Sequence, residues 1–168
     1  EPGGEESMSG LLTALGPDGT ALALLILGHV LGDFTFQTDA MARTKHRVGP
    51  LLTHVGVVVV VHVVAFLPLL TLQTLAALAF VGVLHVAIDA ISARVRHGRN
   101  ESVHLFLADQ LAHLLVLLLA WSLIDPTWWA NAPVVAALGG QTSIPWPEIT
   151  TGAVYLSAFA FAHEGGNT

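Results

Sequence analysis

Residues 51–70 read Leu-Leu-Thr-His-Val-Gly-Val-Val-Val-Val-Val-His-Val-Val-Ala-Phe-Leu-Pro-Leu-Leu, twenty residues without one Asp, Glu, Lys or Arg. At 1.5 Å per residue such a stretch spans about 30 Å, the thickness of a bilayer's hydrocarbon core. Three more stretches of the same kind surround it, at about 20–37, 72–91 and 103–124. A fifth, Ile149 to Ala162, has 14 residues and is short for a full crossing, so a tilted or partial helix is expected there. The fold class read from this pattern is all-α, a polytopic transmembrane helical bundle with four clear spans and a short fifth helix. The expected organisation is an N-terminal extracytoplasmic segment (1–19), a four-helix membrane domain (20–124), an extracytoplasmic Gly/Pro/Trp-rich loop (125–148) and a terminal segment with the fifth helix (149–168).

Composition agrees. The 168 residues are 54% hydrophobic and only 11% charged, with a formal net charge of −6. A soluble domain carries about 25% charged residues. A disordered chain, a coiled coil and a basic nucleic-acid-binding domain are excluded, and no nucleic-acid partner is expected. With no cysteine there is no disulfide, no thiolate metal site and no Cys nucleophile. No Walker A, Rossmann or G-x-S-x-G pattern occurs.

All six basic residues fall in two connections: Arg43, Lys45 and Arg47 after the first span, and Arg94, Arg96 and Arg99 after the third. The excess of Lys and Arg on cytoplasmic loops places both inside and the N-terminus outside, in a bacterial inner membrane. The acidic start (Glu1, Glu5, Glu6) lacks the positive n-region of a signal peptide, and Met8 offers a start. The four tryptophans, Trp121, Trp128, Trp129 and Trp146, fall at or beyond the outer end of the fourth span, where an interfacial aromatic belt is expected. Pro68 marks a tight turn between the second and third spans, and Ser102 is placed to cap the fourth. Asn100-Glu101-Ser102 fits a glycosylation pattern on the wrong side of the membrane for use.

Three aspartates lie within spans: Asp33, Asp89 and Asp109. A carboxylate at that depth costs several kcal/mol and marks a functional site. Each has a histidine four residues away, in the pairs His29–Asp33, His85–Asp89 and Asp109–His113, one helical turn apart on one face. Scattered histidines would give this three times out of three on the order of once in a thousand chains. His54, about one turn into the second span, brings the number of groups in the cytoplasmic half to seven. Imidazole with carboxylate suits Zn, Mn or Fe, and helical bundles with inward His and carboxylates hold two-metal centres. Seven groups exceed what one tetrahedral zinc needs, leaving room for a dinuclear site. A metal there would activate water toward a lipid-like or cytoplasm-borne ester or phosphate.

Around these, Gln37 extends the His29–Asp33 face, Gln110 neighbours Asp109, and His62 lies two turns beyond His54 and about 80° round the helix. These three are read as supporting partners, His62 equally as a packing residue. Gly28 and Gly32 permit close helix approach. Arg43, Lys45, Arg47 and Arg94 form either a solvated interfacial edge or a basic lip for an anionic headgroup or substrate. His46, His97 and His104 read as headgroup-level residues and His163 as terminal. Other readings stay open: His–Asp pairs as interhelical glue, a proton or ion pathway, and a subunit of a larger membrane assembly binding haem or a chlorophyll-type pigment through its histidines.

The run Gly28-His29-Val30-Leu31-Gly32-Asp33-Phe34, with Gln37-Thr38, Met41-Ala42, Lys45 and His54, resembles the opening of a bacterial integral-membrane family. That family is catalogued as a domain of unknown function, number 3307. His85, Ile88-Asp89, Phe106, Asp109-Gln110 and His113 resemble its later blocks, over roughly Leu22 to Trp121. Ser92 departs from the pattern, which has a basic residue soon after the Ile–Asp pair; Arg94 stands nearby. The resemblance implies the fold and the site's location and no particular reaction. A more distant similarity, to membrane-bound metal-dependent hydrolases of the YdjM type, implies His/Asp metal motifs on helices.

Overall fold

The computed structural model describes residues 3–96, 102–125, 127–137 and 144–164. His97, Arg99 and the Asn100-Glu101 pair lie outside them. Among the described residues there are seven α-helices and no strand: α1 (Gly3–Val30), α2 (Asp39–Thr44), α3 (Val48–Phe66), α4 (Leu72–Arg96), α5 (Val103–Ser122), α6 (Pro133–Ala137) and α7 (Trp146–Glu164). The fold is an all-α bundle.

Three helical segments are long and apolar enough to cross a membrane: Val48–Leu69, Leu72–Arg96 and Val103–Ser122. They match the second, third and fourth expected spans. The first expected span is built differently. Gly16 breaks α1 with φ 49°, a backbone conformation that L side chains rarely adopt, and Pro17 restarts the helix. Fourteen residues later the helix passes into a five-residue π turn, Leu31–Thr35, closed by the Phe36 N–H on the Leu31 carbonyl at 2.9 Å. The fifth stretch forms the 19-residue α7.

The segment Pro17–Thr35 lies in the middle and touches α3, α5 and α7. Its glycines make that possible. A Cβ on Gly32 would stand 2.9 Å from Val58 Cγ2 and 3.1 Å from Val58 Cα, and one on Gly28 would stand 2.5 Å from the His62 ring. Thus α1 and α3 meet almost backbone to backbone. α7 runs parallel to α1: Thr20 Oγ1 and Thr150 Oγ1 are 2.6 Å apart at one end, and the Phe34 and Phe161 rings meet edge to face at 5.1 Å at the other.

Each connection has a local cause. Thr38 Oγ1 accepts from the Met41 N–H and starts α2. Thr71 and Thr74 cap α4 reciprocally, each side chain accepting from the other's N–H, at 2.8 and 3.2 Å. Pro68 sits in a 3₁₀ turn, Leu67–Leu69, between α3 and α4, as its fixed φ suggests. Ser102 occupies the N-cap of α5 with extended backbone, without a side-chain cap bond.

The connection expected as a loop at 125–148 carries a 3₁₀ turn, Trp128–Asn131, and α6. Of the four tryptophans, Trp128 is buried and Trp121, Trp129 and Trp146 are half-buried at this end. Trp128 is 2% exposed and packs on Phe66 and Trp146, Trp129 meets Trp146 edge to face, and Trp121 donates to the Asp18 carbonyl at 2.9 Å. Together they close one end of the bundle. The opposite end carries the basic residues.

Candidate metal centre

The polar cluster lies towards the basic end, where α1, α3, α4 and α5 converge. Two features of the chain set it there. The π turn adds a residue to the helical round and carries Asp33 inward beside Gly32, so the carboxylate leaves α1 at the point of closest approach to α3. His54 sits in α3 one turn before Val58, and His85 and Asp89 occupy one face of α4.

Four side-chain atoms from three of these segments converge. His54 Nε2 stands 3.3 Å from Asp33 Oδ1 and 3.2 Å from Asp89 Oδ2. His85 Nε2 stands 3.3 Å from Asp33 Oδ1 and 3.5 Å from Asp89 Oδ2. The two Nε2 atoms are 3.3 Å apart. Each histidine nitrogen thus lies within 3.5 Å of both carboxylates and of the other histidine. His54 and Asp89 are 0% exposed, His85 1% and Asp33 7%. Neither of the two carboxylate oxygens makes a hydrogen bond. Charge-assisted N–H···O bonds run about 2.7–2.9 Å, shorter than any of the four His–Asp contacts. Ligand atoms at about 2.0–2.1 Å from a tetrahedral zinc stand about 3.3–3.4 Å from one another. His54, His85 and Asp89, and likewise His29, Asp33 and His85, present atoms close enough together that each trio could hold a metal ion.

The remaining groups surround this tetrad. His29 Nδ1 is 3.8 Å from Asp33 Oδ2. His113 donates from Nδ1 to the Asp109 carbonyl at 3.0 Å, and its ring lies 4.3 Å from that of His85 and 4.9 Å from that of His29, centroid to centroid. The Asp109 carboxylate turns away. It pairs with Arg96 at 3.2 Å and accepts from Gln110 at 3.3 Å. Gln37 reaches the site through Lys45, whose Nζ donates to Gln37 Oε1 at 3.2 Å and to Asp89 Oδ1 at 3.0 Å. His62 does not touch the cluster. Its two ring nitrogens face the Val58 and Leu25 carbonyls at 2.8 and 3.1 Å, clasping α3 to α1 over Gly28.

The four residues read as a basic lip divide. Arg43 pairs with Asp39 on the exposed face of α2, and Arg47 and Arg94 are exposed. Lys45 instead turns into the bundle, its side chain 11% exposed. The spacing in the sequence does not reveal this, because Lys45 and Asp89 are 44 residues apart. Arg96, whose sequence reading is a solvated interfacial or lip residue that also marks orientation, is a partner of the buried Asp109. The nearest local hint is that α4 extends one turn beyond the expected span, which carries Arg96 alongside the start of α5.

A family model described as protein of unknown function (DUF3307) matches residues 21–136, which include every residue of the tetrad. No curated protein and no solved structure matches the chain.

Proposed function

This chain belongs to the DUF3307 family, and from that premise we propose that it is a multi-pass membrane protein whose His54, His85, Asp33 and Asp89 hold one divalent metal. The observation that carries the reading is the set of five contacts of 3.2–3.5 Å among these four groups, with both carboxylate oxygens lacking hydrogen bonds. With both imidazoles neutral and their protons on Nδ1, and with ionised carboxylates, all four converging atoms are acceptors, a set that a cation would satisfy. Two nitrogen and two oxygen donors suit Zn, Mn or Fe.

A metal at this level supplies Lewis acidity and, through bound water, a nucleophile for hydrolysis. We assign the protein a hydrolytic role toward an ester or phosphoester presented at the basic end, taken as the cytoplasmic face of a bacterial inner membrane. Within the chain, the tetrad sets the metal's place. Lys45 stabilises the Asp89 carboxylate through its second oxygen and holds a positive charge at the mouth. Arg43, Arg47 and Arg94 line the surrounding rim and attract anions.

Two other readings fit less well. Neighbouring rings among His29, His54, His85 and His113 lie 4.3–5.8 Å apart, which leaves no gap for a flat porphyrin ligated by two of them. Toward the Trp end the core is Leu25, Leu78, Val81, Leu117 and Phe66 with His62, Thr20, Thr74 and Thr150 as buried polar groups, and no buried acid among the described residues lies there to carry a proton onward.

Metal analysis of the detergent-purified chain at neutral pH tests the proposal. Stoichiometric metal that is lost in His54→Ala and in Asp89→Ala supports it. Absence of stoichiometric metal, or metal content unchanged in both variants, refutes it.

A further inference from the structure

Beside the tetrad lies a second set of buried groups that it leaves unused. Asp33 places its two oxygens on different neighbours: Oδ1 faces His54 and His85, while Oδ2 faces His29 Nδ1 at 3.8 Å, too far for a charge-assisted hydrogen bond. His29 Nε2 and His113 Nε2 are both buried without a hydrogen-bond partner, in residues 6% and 2% exposed. A carbonyl can only accept, so the His113 contact to the Asp109 carbonyl fixes its proton on Nδ1 and leaves a lone pair on Nε2. Histidines that ligate metals are held in this way, with the other ring nitrogen on a backbone carbonyl. The His29 and His113 rings stack at 4.9 Å with their planes 24° apart, and both come from helices packed against the tetrad's own.

We propose a second divalent-metal position next to the first, ligated by His29, His113 and Asp33 Oδ2, with the Asp33 carboxylate bridging the two ions. The inference rests on the tetrad reading above. The first position would have four protein ligands and would admit solvent only by expanding its shell. The second would have three, which leaves one coordination position for a further ligand, the ligand count of a catalytic rather than a structural site. Two divalent ions bring four positive charges against the two carboxylates that face them, Asp33 and Asp89. The open position therefore favours an anionic ligand, and the ligand class it fits is a phosphoester or carboxylate. Carboxylate-bridged pairs of this kind stand about 3.5–4 Å apart and clamp both sides of such a group.

The test is a titration of the metal-stripped full chain in detergent with Mn²⁺. Bound metal is counted by elemental analysis after desalting, and electron paramagnetic resonance is recorded at one and two equivalents. Two equivalents are expected to bind. An isolated-ion spectrum at one equivalent should give way to an exchange-coupled spectrum at two. In His113→Gln, and independently in His29→Gln, one equivalent should remain with the isolated-ion spectrum. Wild type that binds one equivalent overturns the second position and leaves the tetrad standing. Two ions without coupling overturn the Asp33 bridge. No stoichiometric binding overturns the tetrad and this inference together.

Discussion

Gly32→Ala tests whether the close approach of α1 and α3 is what assembles the centre. The new Cβ would meet Val58 Cγ2 at 2.9 Å and Val58 Cα at 3.1 Å, where ordinary contact begins near 3.4 Å. A rotamer change can move the methyl group but not the Cα, so part of the strain must be relieved by separating the helices. Opening 2.9 Å to 3.4 Å asks for about 0.5 Å, and the backbone contact alone for about 0.3 Å. Gly32 adjoins Asp33, and Val58 lies one turn from His54, so that displacement acts directly on the 3.3 Å Asp33–His54 contact. Metal sites hold their ligand distances to about ±0.2 Å, so the tetrad loosens. Overpacking costs about 1–3 kcal/mol, offset in part by the roughly 1 kcal/mol that alanine gains over glycine in a helix. Metal affinity should fall on the order of 10–100-fold, as it does when a supporting partner is lost. The assay is competition against a chromogenic zinc chelator, with Gly56→Ala as the control, since a Cβ there meets nothing within 4 Å. Equal zinc affinity in Gly32→Ala and wild type would refute the argument that this contact sets the site.

Three further variants separate the parts of the cluster. Lys45→Met strands Asp89 Oδ1, so the metal-free chain should lose about 3 kcal/mol of stability; the shift in thermal midpoint on adding zinc should exceed that of wild type, and an unchanged shift would count against Lys45 and the metal sharing one carboxylate. Arg96→Met removes the partner of Asp109, which stands outside the tetrad, so stability should drop while one equivalent of tightly held metal remains; loss of that metal would place Asp109 inside the site. Thr20→Val breaks the 2.6 Å bond to Thr150 at the far end of the bundle; a loss of about 1 kcal/mol with unaltered metal affinity is expected, measured by unfolding in mixed detergent.

The sequence and the structure agree where a single helix decides the matter. The His29–Asp33 and His85–Asp89 pairs are legible because residues four apart share a face, and the second to fourth spans because apolar length reads directly as helix. What pairing by turn does not reveal is which partners meet across helices. The tetrad's closest contacts join α3 to the π turn and to α4, and His54 has no acidic residue on its own helix. The π turn itself has no signature in Leu31-Gly32-Asp33-Phe34-Thr35, and within it Gly32 packs closely on Val58. Asp109 shares its turn with His113 yet pairs with Arg96, since α4 runs a turn past the apolar stretch. Lys45 reads as a headgroup residue by composition, and only the fold brings it to Asp89. Trp128 sits in a Pro- and Gly-rich segment that reads as loop, but Phe66 offers it a buried seat at the end of α3.

X-ray absorption at the zinc edge, on the full chain loaded with one equivalent of zinc, tests the central claim most directly. A first shell of four nitrogen and oxygen atoms at about 2.0–2.1 Å is expected, with the outer-shell scattering of two imidazoles, abolished in His54→Ala. A shell of six oxygens without imidazole scattering, or zinc that does not stay with the protein, would contradict it.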